Sequence, residues 1–161
     1  MGVDISGRNP INDDGDYFSS NWWAWRPIHM LSEVAIEVKK LKMNTNGWGS
    51  NDGKGLRTQK QCDRLADALE EMLKTNFSDK LEEENDRIYY CMGSWVEDGT
   101  GKFMTTEEQE ELNDEYSYGT ILHSPIVTKD GKLVVPSHSS SLVHIQVWIK
   151  FLRNCGGFRI F

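Results

Sequence analysis

Cysteine is scarce in this chain. Cys62, Cys91 and Cys155 stand far apart, in an odd number and without a Cys-x-x-Cys pair, which argues against a disulfide framework or a zinc knuckle and fits reduced thiols in a cytoplasm. Cys91 beside tyrosines and Cys155 at a helix end read as small buried side chains rather than reactive thiols. No run approaches the ~20 apolar residues of a membrane span, and Met1 to Arg8 lack the charged-then-apolar order of a secretion signal. The expectation is a soluble cytoplasmic protein. Basic residues are outnumbered: the net charge of −7 argues against generic nucleic-acid binding, which draws its affinity from lysine and arginine. The histidines, His29, His123, His138 and His144, form no His-Glu-x-x-His or other compact ligand spacing, although a site built from His138, His144 and an aspartate is conceivable in three dimensions. There is no Gly-x-Ser-x-Gly elbow and no Walker loop, since five residues separate Gly49 from Gly55 and Leu56 follows. No catalytic residue, metal site or cofactor is therefore expected.

At 161 residues the chain suits one domain spanning 1–161. Its acid is concentrated. Residues 79–116 hold 13 Asp and Glu against Lys80, Arg87 and Lys102, a net of −10, while the remainder carries +3. That stretch reads as a solvated helix surface and loop, or as an acidic face that docks on a basic partner.

What the chain does have is tryptophan in one place. Trp22, Trp23 and Trp25 lie beside Arg26, and three indoles so spaced cannot share one side of a helix or strand, so at least one should meet water. With Arg26 they suit a clamp for a flat or anionic ligand, by stacking and by paired donors; an N-terminal plug that seals the core is the alternative. A second element is the loop from Asn44 to Gly55, with four glycines in twelve residues and a helix behind it. Its amides near Asn51, Asp52, Gly53, Lys54 and Gly55 suit an anion cradle, with Arg26, Lys54 and Arg57 as cations and Trp48 as a stacking surface, though a glycine-rich turn into a helix also arises for steric reasons.

Along the chain, residues 1–21 read as an ordered loop or short strand. Pro27 opens a first helix, on which Leu31, Val34, Ala35, Val38 and Leu41 recur at helical spacing. Thr58 and Gln61 make a capping box for a second helix at about 58–75. A short acidic helix near Asp79–Glu84 precedes a β-prone run from Arg87 to Met92, and Thr105 with Glu108 caps a polar surface helix to about Tyr116. Thr120 to Val135 suits a hairpin turning at Asp130-Gly131, with Ile121, Leu122, Ile126 and Val127 on one arm. Ser137 and Ser139 to Ser141 offer N-caps for a last helix, Leu142 to Asn154, apolar nearly all round and so expected to be buried on more than one side. Gly156-Gly157 ends it ahead of a terminal strand. The fold expected is α+β: mainly helical, about three main helices with a small antiparallel sheet or hairpin, the C-terminal helix central.

Met1 to Pro10, Tyr17-Phe18 through Trp25-Arg26-Pro27, Ser50-Asn51-Asp52-Gly53 ahead of a helix, and Phe151 through Gly156-Gly157-Phe158 together resemble a family of uncharacterised bacteriophage and bacterial proteins. The resemblance spans both ends and the first two helices, leaves out about 77–135, and implies no activity. It implies a setting, because small phage proteins often act in counter-defence. The function expected is a non-catalytic binding protein that sequesters a small anionic, nucleotide-derived signal through Trp22, Trp23, Trp25, Arg26, Trp48, Asn51, Asp52, Gly53, Lys54 and Arg57. The alternatives are a protein-protein inhibitor of a host defence or nuclease complex acting through 79–116, and a metal-dependent hydrolase. Exposed tryptophans would also suit a site completed across a two-fold interface in a homo-oligomer.

Overall fold

The computed structural model describes residues 2–76 and 86–161. Strand β1 (Gly2–Gly7) lies between β2 (Tyr17–Asn21) and β7 (Phe158–Ile160), antiparallel to both, so that the two ends of the chain are neighbours. Ile5 is the meeting point, opposite Phe18 on one side and Ile160 on the other. Val3, Ile5, Phe18, Phe158 and Ile160 are buried while Asp4, Tyr17 and Arg159 face water, the period-two alternation of a sheet with one wet face. A 3₁₀ turn, Asp13–Gly15, joins β1 to β2.

Helix α1 (Trp22–Val38) starts five residues before the proline that was expected to open it. Asn21 is the true N-cap: its Oδ1 accepts the Ala24 N–H at 2.9 Å, a bond a side-chain oxygen makes well at that position. Pro27 sits inside the helix, so the carbonyl one turn back, on Trp23, loses an intrahelical donor. Helix α2 (Gln59–Asn76) follows the expected span. Its capping box is formed, with Gln61 N–H donating to Thr58 Oγ1 and Thr58 N–H to Gln61 Oε1, both at 3.2 Å.

A second antiparallel sheet has the order β4 (Ile121–Leu122), β3 (Arg87–Glu97), β6 (Leu133–Ser141), β5 (Ile126–Val127). The expected hairpin is therefore corrected. Ile126 and Val127 do pair with Val134 and Leu133, but Ile121 and Leu122 pair with Tyr90 and Tyr89 of β3. Pro136 and the serines after it belong to β6, which runs up to the last helix. Proline is tolerated there because β5 pairs only with residues 133–134 and β3 is irregular opposite it, stepping from Tyr90 to Trp95 while β6 steps from His138 to Pro136.

Helix α3 (Thr106–Glu115) has the expected Thr105–Glu108 capping box, and Leu112 is its one buried residue. The short acidic helix expected near 79–84 lies outside the described residues. Helix α4 (Leu142–Asn154) has the expected bounds, yet it is not buried on more than one side. Leu142, Ile145, Trp148, Ile149, Phe151 and Leu152 occupy one broad face, whereas Val143 and Val147 stand beside Gln146 and Lys150 in water. Among the described residues there are thus four α-helices and two antiparallel sheets, an α+β fold.

The main core gathers β1, β2, β7, α1, α2 and α4, with Trp148 at its hub. Its ring lies 5.1 Å from Phe18, 5.2 Å from Trp25, 5.4 Å from Phe158 and 5.6 Å from Phe151, centroid to centroid. Such separations suit edge-to-face and offset aromatic pairs. A smaller cluster under α3 contains Cys91, Trp95, Met104, Leu112 and Val134.

A candidate anion-binding cleft

Because Trp22, Trp23 and Trp25 lie on a helix, its turn of about 100° per residue sends them in different directions. Trp25 has no exposed surface, nor does Trp48. The Trp25 indole donates to the Trp48 carbonyl at 2.9 Å, so these two rings act as core. Trp22 is partly buried and carries the Arg26 guanidinium 5.5 Å above its ring. Trp23 is 47% exposed, its ring 4.7 Å from that of His138 and 6.4 Å from that of Phe103.

Besides the Trp25–Trp48 bond, the glycine-rich loop comes near this group at Gly49, where a Cβ would stand 4.0 Å from Arg26 Nη1. Several of its donors already have acceptors in the protein. Gly53 N–H donates to the Ile160 carbonyl at 2.7 Å, Lys54 N–H to Asp52 Oδ1 at 3.0 Å, and Arg57 N–H to Gln61 Oε1 at 3.0 Å. Lys54 Nζ lies 3.3 Å from Asp52 Oδ2. The Lys54 backbone N–H holds the Asp52 carboxyl below its ordinary range, so the loop carries its own anion. Asn51 adopts a left-handed φ of 51° and turns its amide towards the Gly2 carbonyl, 3.4 Å away. The structure therefore brings together Trp22 with Arg26, Trp25 with Trp48, and Asp52 with Lys54, and leaves Trp23 apart from all three.

A different group of residues converges. A cleft of about 660 Å³ opens between the β1–β2 edge, the first turn of α1, the start of β3 and the β6–α4 junction. Two helices begin at it. Asn21 caps α1, and Ser141 caps α4 by accepting the His144 N–H at 3.2 Å. The leading amides of a helix lack intrahelical acceptors, and the aligned peptide dipoles place partial positive charge there. Arg87 adds a full charge; its Nε donates to Ser139 Oγ at 3.1 Å, and Nη2 lies 3.4 Å from the Ser139 carbonyl. His144 Nε2 lies 3.0 Å from Ser20 Oγ, and its ring stacks on Phe18 with centroids 5.1 Å apart. Burial, with Arg87 nearby, lowers the His144 pKa. Ser140 also lines the cleft, has no exposed surface, and its Oγ is buried without a hydrogen-bond partner among the described residues, which is uncommon in native folds. Asp4 supplies negative charge at the rim, where its carboxylate accepts the Tyr17 hydroxyl.

The groove of about 600 Å³ between α2 and α4 lacks this convergence. There Arg153 is already bonded to Asp67 at 2.9 Å and lies 3.0 Å from Glu70. Among the described residues no three or more His, Cys, Asp or Glu are placed to hold a metal ion, and no helix is long and apolar enough to cross a membrane. Cys62 and Cys155 are buried with sulfurs 3.6 Å apart, and burial pushes the Cys91 thiol up to about 11.

Sequence reasoning passed over Ser20, Arg87, Ser140 and Ser141 as ligand-binding groups. The signal for two of the cleft's walls is present in the caps: Asn21 and Ser141 each directly precede a helix, but they end strands of different sheets, so tertiary packing rather than strand pairing brings those helix starts together. Comparison of the chain with family models, curated proteins and solved structures returns no match.

Proposed function

We propose that the protein captures a small anionic, nucleotide-derived ligand in this cleft. The anionic group sits among Arg87, His144 and the leading turns of α1 and α4, with serine hydroxyls of the rim completing its hydrogen bonds. The observation that carries the reading is the convergence of the Arg87 guanidinium and two capped helix starts, at Asn21 and Ser141, on one cleft, where together they supply positive field. Such a protein works in the cytoplasm of a bacterial host as a sink for a signalling nucleotide, in keeping with the phage-family resemblance, and needs neither cofactor nor metal. The test is calorimetric titration with nucleoside monophosphates, cyclic dinucleotides and inorganic phosphate. A nucleotide should bind in the micromolar range, and Arg87→Ala should weaken it about tenfold or more, the scale of a charge-assisted hydrogen bond. Arg26→Ala asks whether the ligand's flat part rests on Trp22. Affinities no better than millimolar throughout would end this reading.

A second reading rests on α3, which presents Glu107, Glu110, Glu111, Asp114 and Glu115 to water and is held from beneath by Leu112, by Asn113 and by Gln109, the last two bonded to Trp95. Such a face suits a basic groove on a host protein, with binding that weakens as salt rises. Neutralising Glu107, Glu110 and Glu111 together should then abolish activity in an infected cell, whereas under the first reading it leaves activity intact.

A further inference from the structure

A serine hydroxyl becomes a nucleophile when a base within hydrogen-bond reach takes its proton and nearby donors receive the negative charge that develops on the attacked group. The cleft assembles these parts around Ser20. Its Oγ lies 3.0 Å from His144 Nε2, inside the 2.6–3.2 Å reach of a working acid–base pair. The imidazole is held from the other side by the stacked ring of Phe18. Ser20 is the penultimate residue of β2, two residues before the start of a 17-residue helix, so the leading amides of α1 follow the hydroxyl closely in the chain, and Ala24 on that first turn lines the same cleft.

We propose that Ser20 is a nucleophile and His144 its general base, acting on esters that carry an anionic group for Arg87 to hold. As Oγ bonds to the ester carbon, its proton passes to Nε2, and the first turn of α1 receives the oxyanion. When the carbon–oxygen bond to the leaving group breaks, the imidazolium returns that proton to the departing alkoxide. Water, deprotonated by the same imidazole, then attacks the acyl-serine and releases the acid and Ser20. The competing interaction is local: Ser20 Oγ also lies 3.1 Å from the Asn21 carbonyl, and a rotation of the hydroxyl hydrogen decides which acceptor it meets. The charged groups at the pair are Arg87 from β3 and Asp4 from β1; with burial and Arg87 lowering its pKa, His144 is neutral at pH 7 and able to accept the proton.

This activity goes beyond ligand capture, and its test does not depend on finding the ligand. An alkyl fluorophosphonate, which phosphonylates activated serines with loss of fluoride, should add once to the intact protein, at Ser20 by peptide mass. Ser20→Ala should abolish the adduct, and His144→Asn should slow it about 100-fold or more, with circular dichroism showing both variants folded. The labelling rate should rise with pH and level off below 6.5. Should His144→Asn fail to fold, Ser20→Cys replaces it: a thiol beside this imidazole should react with iodoacetamide at least tenfold faster at pH 6 than a free thiol does. No adduct, an adduct elsewhere, or labelling indifferent to His144 overturns the proposal, whereas failure of ligand capture appears only in the calorimetry.

Discussion

The Trp25 indole nitrogen sits 2.9 Å from the backbone carbonyl of Trp48, fully inside the core, and so ties α1 to the glycine-rich loop. A buried carbonyl whose partner is removed keeps its desolvation cost, about 1–3 kcal/mol. Trp25→Phe retains an aromatic ring but removes the donor and leaves a void. Urea denaturation should show a loss of at least about 1 kcal/mol on those grounds, with anion affinity unchanged. A loss confined to a few tenths would mean that the loop relaxes and the carbonyl finds water.

Trp148, the hub of the ring cluster, depends on a relay. Its indole donates to Ser32 Oγ at 3.2 Å, and that hydroxyl donates to the Ile28 carbonyl at 2.8 Å. Both residues have no exposed surface. Ser32→Ala costs little in volume and leaves the indole N–H with nothing to meet, so the expected loss is about 1–3 kcal/mol. Ser32→Thr keeps the hydroxyl and should lose less unless its methyl is crowded; the pair of denaturation midpoints separates hydrogen bonding from packing.

Close backbone approach explains Gly15. A Cβ on Gly15 would land on the carbonyl of Asn154, where the 3₁₀ turn presses against the end of α4. Gly15→Ala should therefore cost about 3 kcal/mol, the upper range for overpacking, and separate the turn from the helix. Gly131, in the β5–β6 turn, has φ of 81° and nothing within 4 Å of such an atom, so Gly131→Ala should cost only the left-handed strain, about 1–2 kcal/mol. Thermal midpoints that rank the two variants the other way would refute the contact at Asn154.

The bounds of α2, α3 and α4 are legible in the sequence because each begins at a side chain that closes its own first turn: Thr58 with Gln61, Thr105 with Glu108, Ser141 with His144. The start of α1 is not, since Pro27 is the louder signal and Asn21 the working one. Ile121 and Leu122 look like a hairpin arm beside Ile126 and Val127, yet the choice of β3 as partner is tertiary. The site is less legible still. Tryptophan density marks residues with large surface to bury, and here Trp25, Trp48 and Trp148 are core. The cleft is lined by Ser20, Arg87, Ser140 and His144, small or single residues of four different elements that only the packing of two separate sheets and a helix assembles.

Acid should unfold the protein through its histidines before its carboxylates titrate. Burial lowers the pKa of His29, His138 and His144 below the ordinary 6.5; for His29 it prevails over Glu33, 3.1 Å away, and for His138 the Arg26 charge adds to it. With the folded pKa below the unfolded one, the unfolded chain binds more protons once pH falls through 6.5, and stability drops from there down to the folded values. Above 6.5 the curve should be flat. Below it the slope is at most about 1.4 kcal/mol per pH unit for each histidine. Asp52 and Glu108 have lowered pKa values for the opposite reason, hydrogen bonds to the charged form, so their contribution is present at neutral pH and disappears only below about 4.5. Urea midpoints between pH 8 and 5 should fall only over the acidic half of that range, and His29→Gln should make the fall shallower. A midpoint that holds steady between pH 6.5 and 5 would show that these rings are already open to water in the native protein.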